Sequence, residues 1–204
     1  GSEMCIRDRN WMKKVAVALV CLLPLGLQAA KVDTLQVKSP SMNKSIEVVV
    51  VSPDVAATKA CPVIYLLHGY GGNARTWVGI KPDLSKIADE KGIFFVCPDG
   101  KNTWYWDSPL NADVRYETFI SDELVKYVDS HYKTVADRKG RAITGLSMGG
   151  HGAMWNGLRH SDVFSAAGST SGGVDIRPFP KNWEMSVQIG EKAKYPENWE
   201  KYTV

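Results

Sequence analysis

Between residues 33 and 167 the apolar positions follow two different rhythms. Asp33–Lys38 alternates apolar and polar, as a strand with one buried face does. Ser45–Val51 is a second strand, rich in β-branched residues, and Ser39-Pro40-Ser41-Met42-Asn43 makes the turn between them. These two predict an antiparallel hairpin at one edge of a sheet. The rhythm then changes to unbroken apolar runs. Pro62–Leu67 stops at His68-Gly69, and Gly92–Cys97 stops at Pro98-Asp99-Gly100. Runs of this kind suit strands covered on both faces, as in a parallel sheet. Arg141-Ala142-Ile143-Thr144 and Val163–Ala167 are two shorter candidates.

Helical spacing lies between the runs. Pro82–Glu90 begins with a proline, which fits a first helical turn. Arg115–Tyr132 places Tyr116, Phe119, Ile120, Leu124, Tyr127 and Val128 on one stripe. His151–His160 is a third helix-compatible segment. Strands alternating with helices after an antiparallel start predict an α/β sandwich.

The first thirty residues break this pattern. Met12-Lys13-Lys14 is a basic start, Val15–Leu27 is an apolar stretch of 13 residues, and Gln28-Ala29-Ala30 offers small residues for cleavage. The apolar stretch is too short to span a bilayer and reads as a secretory signal peptide. Cys21 lacks the small residue that precedes a lipid-modified cysteine. Residues 1–11 read as a leader outside the folded protein. Residues 1–30 are therefore set apart from a domain at 31–204, located outside the cytoplasm, either secreted or periplasmic. Without them the formal net charge falls from +3 to +1. A near-neutral chain with no basic run gives nucleic acid no footing. No residue pattern asks for a cofactor or a metal.

Two cysteines remain, Cys61 and Cys97. Cys61 begins one predicted strand and Cys97 lies near the end of the next. Parallel pairing offsets them by about five residues, roughly 16 Å. A disulfide needs Cα atoms within roughly 7 Å, so two buried free thiols are expected.

The sharpest local signal is Gly145-Leu146-Ser147-Met148-Gly149-Gly150, between the run ending at Thr144 and the helix at His151. Strand, tight turn and helix with a serine at the apex lift a hydroxyl above the sheet. Gly145 and Gly149 remove side chains where strand and helix come close. Ser147 is the candidate nucleophile. The loop His68-Gly69-Tyr70-Gly71-Gly72-Asn73 leaves the neighbouring strand at the same sheet edge. Its glycines let N–H groups turn toward the cleft, so the Tyr70 and Met148 N–H groups are the candidate oxyanion donors.

Taken together these segments are similar to a family of serine esterases with the α/β-hydrolase fold. That family includes feruloyl esterases, S-formylglutathione hydrolases (esterase D) and mycolyltransferases. Tyr65–Asn73, Trp104–Pro109, Tyr116–Phe119, Tyr127–Tyr132 and Gly145–Ala153 carry the likeness, which runs from about residue 33 to the last residue. The resemblance implies Ser147 as nucleophile, with backbone donors at Tyr70 and Met148. It also implies a mostly parallel sheet whose later strands carry a triad acid and then a histidine. After Ser147 this sequence holds only His151 and His160. The expectation is a domain lacking its last strands and both remaining triad members. His151 and His68 are weighed as substitute bases and read as a packed residue and a loop support. His131 and His160 read as surface residues near helix ends. Asp162 and Asp175 read as loop residues.

Trp104-Tyr105-Trp106 follows the 93–97 strand and falls at the catalytic edge. Trp104 and Trp106 either stack on a sugar or phenolic ring or pack a long loop. Trp183 and Trp199 lie in a segment after Gly173 that could begin a lid. Arg177 reads as a surface salt bridge. Export and the aromatic loop favour a small-molecule or polysaccharide acyl ester, feruloyl or acetyl, as substrate. Acyl transfer to a sugar hydroxyl and a non-catalytic binding domain are the alternatives.

Overall fold

The computed structural model describes residues 30–204. The signal peptide and leader expected at the N-terminus lie outside these residues, Ala30 apart. One six-stranded sheet organises the chain, in the order β1-β2-β4-β3-β5-β6. The hairpin β1 (Lys31–Ser39) and β2 (Lys44–Ser52) is antiparallel and forms one edge. β2 also runs antiparallel to β4 (Phe94–Pro98). β3 (Val63–Leu67), β4, β5 (Arg141–Leu146) and β6 (Ala166–Thr170) are mutually parallel. The α/β-hydrolase architecture with an antiparallel start is therefore present in these residues.

Burial explains the change of rhythm. On β2, Val48 and Val50 enter one apolar cluster, while Val49 and Val51 enter the other. β3 and β4 divide in the same way, with Tyr65, Leu67, Phe94 and Val96 on one side and Leu66, Phe95 and Cys97 on the other. A strand covered on both faces has no use for alternation. Two short helices, α1 (Thr76–Ile80) and α2 (Leu84–Lys91), cover one face. Leu84 and Ala88 of α2 pack there.

The opposite face is covered by four elements. They are α3 (Tyr116–Thr118), a wide turn at Phe119–Glu123, α4 (Leu124–His131) and α5 (Met148–Arg159). The stripe at 116–128 is buried as its spacing predicts, with Tyr127 only half-buried. The single predicted helix is nevertheless divided, because Phe119–Glu123 closes i→i+5 turns of the π type. The Ser121 hydroxyl donates to the Glu117 carbonyl there, at 2.6 Å.

Three boundaries differ from the sequence expectation. Pro82 stands two residues before α2, in the turn closed by Leu84 N–H on the Lys81 carbonyl. The last strand is Ala166–Thr170, not Val163–Ala167. Val163 and Phe164 finish the turn after α5, both donating to the His160 carbonyl, and Phe164 packs edge-on against Tyr65. An apolar pair can anchor a connection to the core as well as fill a strand. Residues 168–170 belong to β6. Cys61 and Cys97 are buried free thiols. Val63 pairs with Phe94, so the five-residue offset holds.

Residues 174–204 form a cap over the carboxyl edge of the sheet. It contains α6 (Met185–Ile189) and α7 (Pro196–Lys201). Val204 N–H donates to the Val174 carbonyl and closes the segment on itself. Trp199 is fully buried within it, and Tyr202 stacks on Trp155 at 4.9 Å. Among the described residues no helix is long and apolar enough to cross a membrane.

Candidate active site

β5 delivers the chain to Ser147, and α5 leaves from it. Ser147 has φ 54° and ψ −115°, a region that L-residues avoid. Such a conformation costs on the order of 1–3 kcal/mol and persists only where its surroundings hold it. Here Ser147 N–H donates to the Thr170 carbonyl at 2.8 Å, and the Ser147 carbonyl accepts from His151 N–H at 3.0 Å. The glycines make the turn possible. A Cβ on Gly145 would lie 2.2 Å from the Gly149 carbonyl oxygen, and one on Gly149 would lie 2.2 Å from that of Leu67. The hydroxyl is left exposed at the apex.

The loop after β3 stands against this apex. A Cβ on Gly69 would lie 3.5 Å from the Ser147 Cβ. Gly72 N–H donates to the Gly69 carbonyl, and Gly71 N–H to Asn102 Oδ1 at 2.9 Å. Tyr70 N–H, one residue before Gly71, donates to no acceptor among the described residues. Met148 opens α5, so its N–H is one of the first-turn donors that the helix cannot satisfy. Two uncommitted N–H groups thus lie on the segments next to Ser147, the loop after β3 and the first turn of α5. Desolvation, followed by the nearby Glu184 carboxylate, pushes the Tyr70 phenol upward.

His68 supports the loop from below. It is buried, its Nε2 accepts from Gly100 N–H at 2.9 Å, and its Nδ1 donates to the Gly69 carbonyl at 2.8 Å. Asp99 Oδ1 is 3.5 Å from the same Nε2. Because Gly100 N–H already occupies that nitrogen, the contact is not an ion pair. Burial acts to raise the Asp99 carboxyl, but the charge and hydrogen bonds of Lys101 hold it well below the usual carboxylate range.

All four histidines are engaged away from the Ser147 hydroxyl. His151 is fully buried, with Nε2 accepting from Trp106 Nε1 at 3.0 Å and Nδ1 donating to the Gly173 carbonyl at 2.8 Å. Desolvation lowers its pKa to about 4. His131 meets Ser130 and Tyr127 on the surface, and His160 meets Glu117. Asp175 grips Arg177, which also reaches Glu200, so Arg177 forms the surface ion pairs expected of it. These pairs lower the Asp175 carboxyl.

A cavity of about 310 Å³ opens beside the serine. Tyr70, Trp104, Ser147 and Met148 line it from the sheet side, and Ile176, Phe179, Trp183 and Met185 from the cap. Trp104 is thus at the site. Trp106 is not: it is fully buried beneath, stacked on Trp104 at 5.4 Å and bonded to His151. Of the two lid tryptophans, Trp183 lines the cavity and Trp199 is core. Phe179 and Met185 were not anticipated. Their segment, Asp175–Pro180 and beyond, carries no motif, and only the cap's folding brings them over Ser147.

The sheet, the strained serine and the flanking loop define the α/β-hydrolase class. Within it, the chain belongs to the Esterase family, whose model matches residues 39–203. An esterase of Mycobacterium tuberculosis is 31% identical over 149 residues, covering 70% of this chain and 32% of that protein. An endo-1,4-beta-xylanase/feruloyl esterase of Xylanibacter ruminicola is 34% identical over 123 residues, covering 55% of this chain and 17% of that protein. The chain therefore spans a third or less of the length of these curated relatives. A solved ferulic acid esterase is similar at 30% identity and a TM-score of 0.66, over 85% of this chain and 71% of that one.

Proposed function

We propose that this chain carries the nucleophile and oxyanion hole of a serine carboxylic ester hydrolase. One observation carries the reading: Ser147 is held in strained backbone at a cavity that Tyr70 and Met148 also line. Ser147 Oγ attacks the ester carbonyl, and the carbonyl oxygen becomes an oxyanion facing the Tyr70 and Met148 N–H groups. Collapse expels the alcohol and leaves an acyl-enzyme, which water hydrolyses. The donors act on charge that develops only in the transition state, and each is worth about 3–4 kcal/mol by analogy with measured cases.

The cavity takes the acyl group. Its aromatic lining, Tyr70, Trp104, Phe179 and Trp183, favours a flat phenolic acyl group such as feruloyl over a small aliphatic one. The relatives named for feruloyl ester hydrolysis support the same acyl group, and the reading takes a carbohydrate as the alcohol. The basic and apolar pattern of residues 12–30 supports export, secreted or periplasmic. The proton acceptor is not one of the chain's own histidines, since each ring is committed elsewhere. A histidine brought from outside residues 30–204 completes the machinery.

Labelling with a fluorophosphonate tests the proposal, as does turnover of methyl ferulate by a protein that also brings a histidine to Ser147. Ser147→Ala abolishes both; turnover retained in that variant overturns the nucleophile assignment. Product analysis with an added sugar acceptor separates hydrolysis from acyl transfer.

A further inference from the structure

The loop after β3 borders two openings. Tyr70 lines the cavity beside Ser147. Further along the same loop, Asn73 and Arg75 line a separate cleft of about 400 Å³. The β1–β2 hairpin contributes Gln36, Ser45 and Glu47 to this cleft, and the loop after β4 contributes Asp99 and Lys101. The pairing of the strands brings these segments together. β2 runs antiparallel to β4, so the start of β2 lies at the carboxyl end of β4. Asp99 N–H donates to the Glu47 carbonyl there, at 2.9 Å. Gln36 pairs with Glu47 across the hairpin, and Ser45 is two residues from Glu47, so the three share one face.

The cleft therefore opens on the same edge of the sheet as Ser147. Tyr70 and Asn73 stand at most about 11 Å apart even in a fully extended chain. Gly72 N–H on the Gly69 carbonyl bends the loop and shortens that span. Between the two residues, Gly71 N–H donates to Asn102 Oδ1 at 2.9 Å, and Asn102 Nδ2 donates to Glu184 Oε2 of the cap at 3.1 Å.

The two openings differ in chemistry. Aromatic rings line the cavity, and none lines the cleft. The cleft carries two cations, Arg75 and Lys101, and two anions, Glu47 and Asp99, with side-chain amides and a hydroxyl beside them. Its charges balance, so it offers an anion no net attraction. Carboxylates only accept hydrogen bonds, Arg and Lys only donate them, and amides and hydroxyls do both. A neutral ligand rich in hydroxyls satisfies every one of these groups. Some are fixed before a ligand arrives: buried Asp99 meets Lys101 Nζ at 2.6 Å, and Arg75 Nη2 donates to Thr34 Oγ1 at 3.0 Å. Groups held in advance cost less to order on binding.

We propose that this cleft binds the carbohydrate part of an ester whose acyl group occupies the cavity at Ser147. An ester of an aromatic acid with a sugar is apolar at one end and polyhydroxylated at the other, and the loop after β3 stands where the two ends meet. The inference rests on the reading of Ser147 and its cavity given above.

The test is a titration of the isotope-labelled full chain with xylotetraose, and separately with ferulate, followed by backbone amide NMR. Xylotetraose is expected to shift the amides of Gln36, Glu47, Asn73 and Lys101, and ferulate those of Tyr70 and Trp183. Arg75→Ala and Glu47→Ala each weaken xylotetraose binding at least about fivefold and leave ferulate binding within about twofold of the parent. Phe179→Ala does the reverse. Absence of shifts at the four cleft amides overturns the proposal, as does xylotetraose binding that both cleft variants leave unchanged. Tighter binding of tetragalacturonate, an acidic oligosaccharide of the same length, overturns the choice of a neutral ligand. Should Glu47→Ala fail to fold, the exposed Arg75 variant decides alone. Ferulate that shifts no cavity amide, or absence of fluorophosphonate labelling at Ser147, counts against the reading of the cavity. The xylotetraose shifts still decide the cleft in that case.

Discussion

At Ser147 three residue-level effects meet: a strained backbone, glycines that permit it, and a buried histidine that is not the base. Gly149→Ala places a Cβ 2.2 Å from the Leu67 carbonyl oxygen and 2.6 Å from that of His68. Backbone cannot yield as a flexible side chain does, so this variant should lose about 3 kcal/mol or fail to fold, read from its urea midpoint. His151 makes a pH prediction. Its folded pKa of about 4 lies below the ordinary 6.5, because burial disfavours the charged ring. The unfolded chain therefore binds the extra proton between these values. Stability contributed by neutral His151 is intact above pH 6.5 and is lost as pH falls toward 4, by about 3 kcal/mol in all. His151→Gln should flatten that part of the urea-unfolding profile; an unchanged slope would assign it to other groups.

Among the elements, the strands at the centre were readable because burial on both faces writes a continuous apolar run. The same signal misled at Val163-Phe164, where apolar residues anchor a connection, and the strand starts at Ala166. β6 is composed of small residues, Ala166-Ala167-Gly168-Ser169-Thr170, most of them exposed. Among the described residues no strand pairs with its outer side. An open edge is a template for another strand. Residues 30–204 alone should self-associate with rising concentration in sedimentation velocity, and Ala166→Lys should reduce that association. Cys97 belongs to this scale too. It is buried in β4, and burial pushes its thiol upward. It should stay unmodified by DTNB until the sheet is unfolded.

For the whole molecule, the proposed nucleophile Ser147 has no histidine ring bonded to its hydroxyl among the described residues. A positioned base contributes about 10²–10⁴ in rate, and binding plus oxyanion stabilisation leave residual catalysis. Residues 30–204 should therefore hydrolyse p-nitrophenyl acetate at least about a thousandfold more slowly than a protein that brings a histidine to Ser147. Turnover at an ordinary esterase rate by these residues would show that one of the four histidines moves into place.

The amino-acid sequence by itself determined the elbow, the glycine loop and the strand pattern, because each depends on neighbours close along the chain. A serine between glycines at the end of an apolar strand can form few structures. The tertiary structure alone decided which side chains line the cavity. Trp104 and Trp106 are two residues apart and chemically alike, yet one faces the cavity and the other lies beneath it. Phe179, Met185 and the Asn102–Glu184 contact depend on where residues 174–204 settle over the sheet. That placement is made by contacts between segments some eighty residues apart, and no local periodicity encodes it.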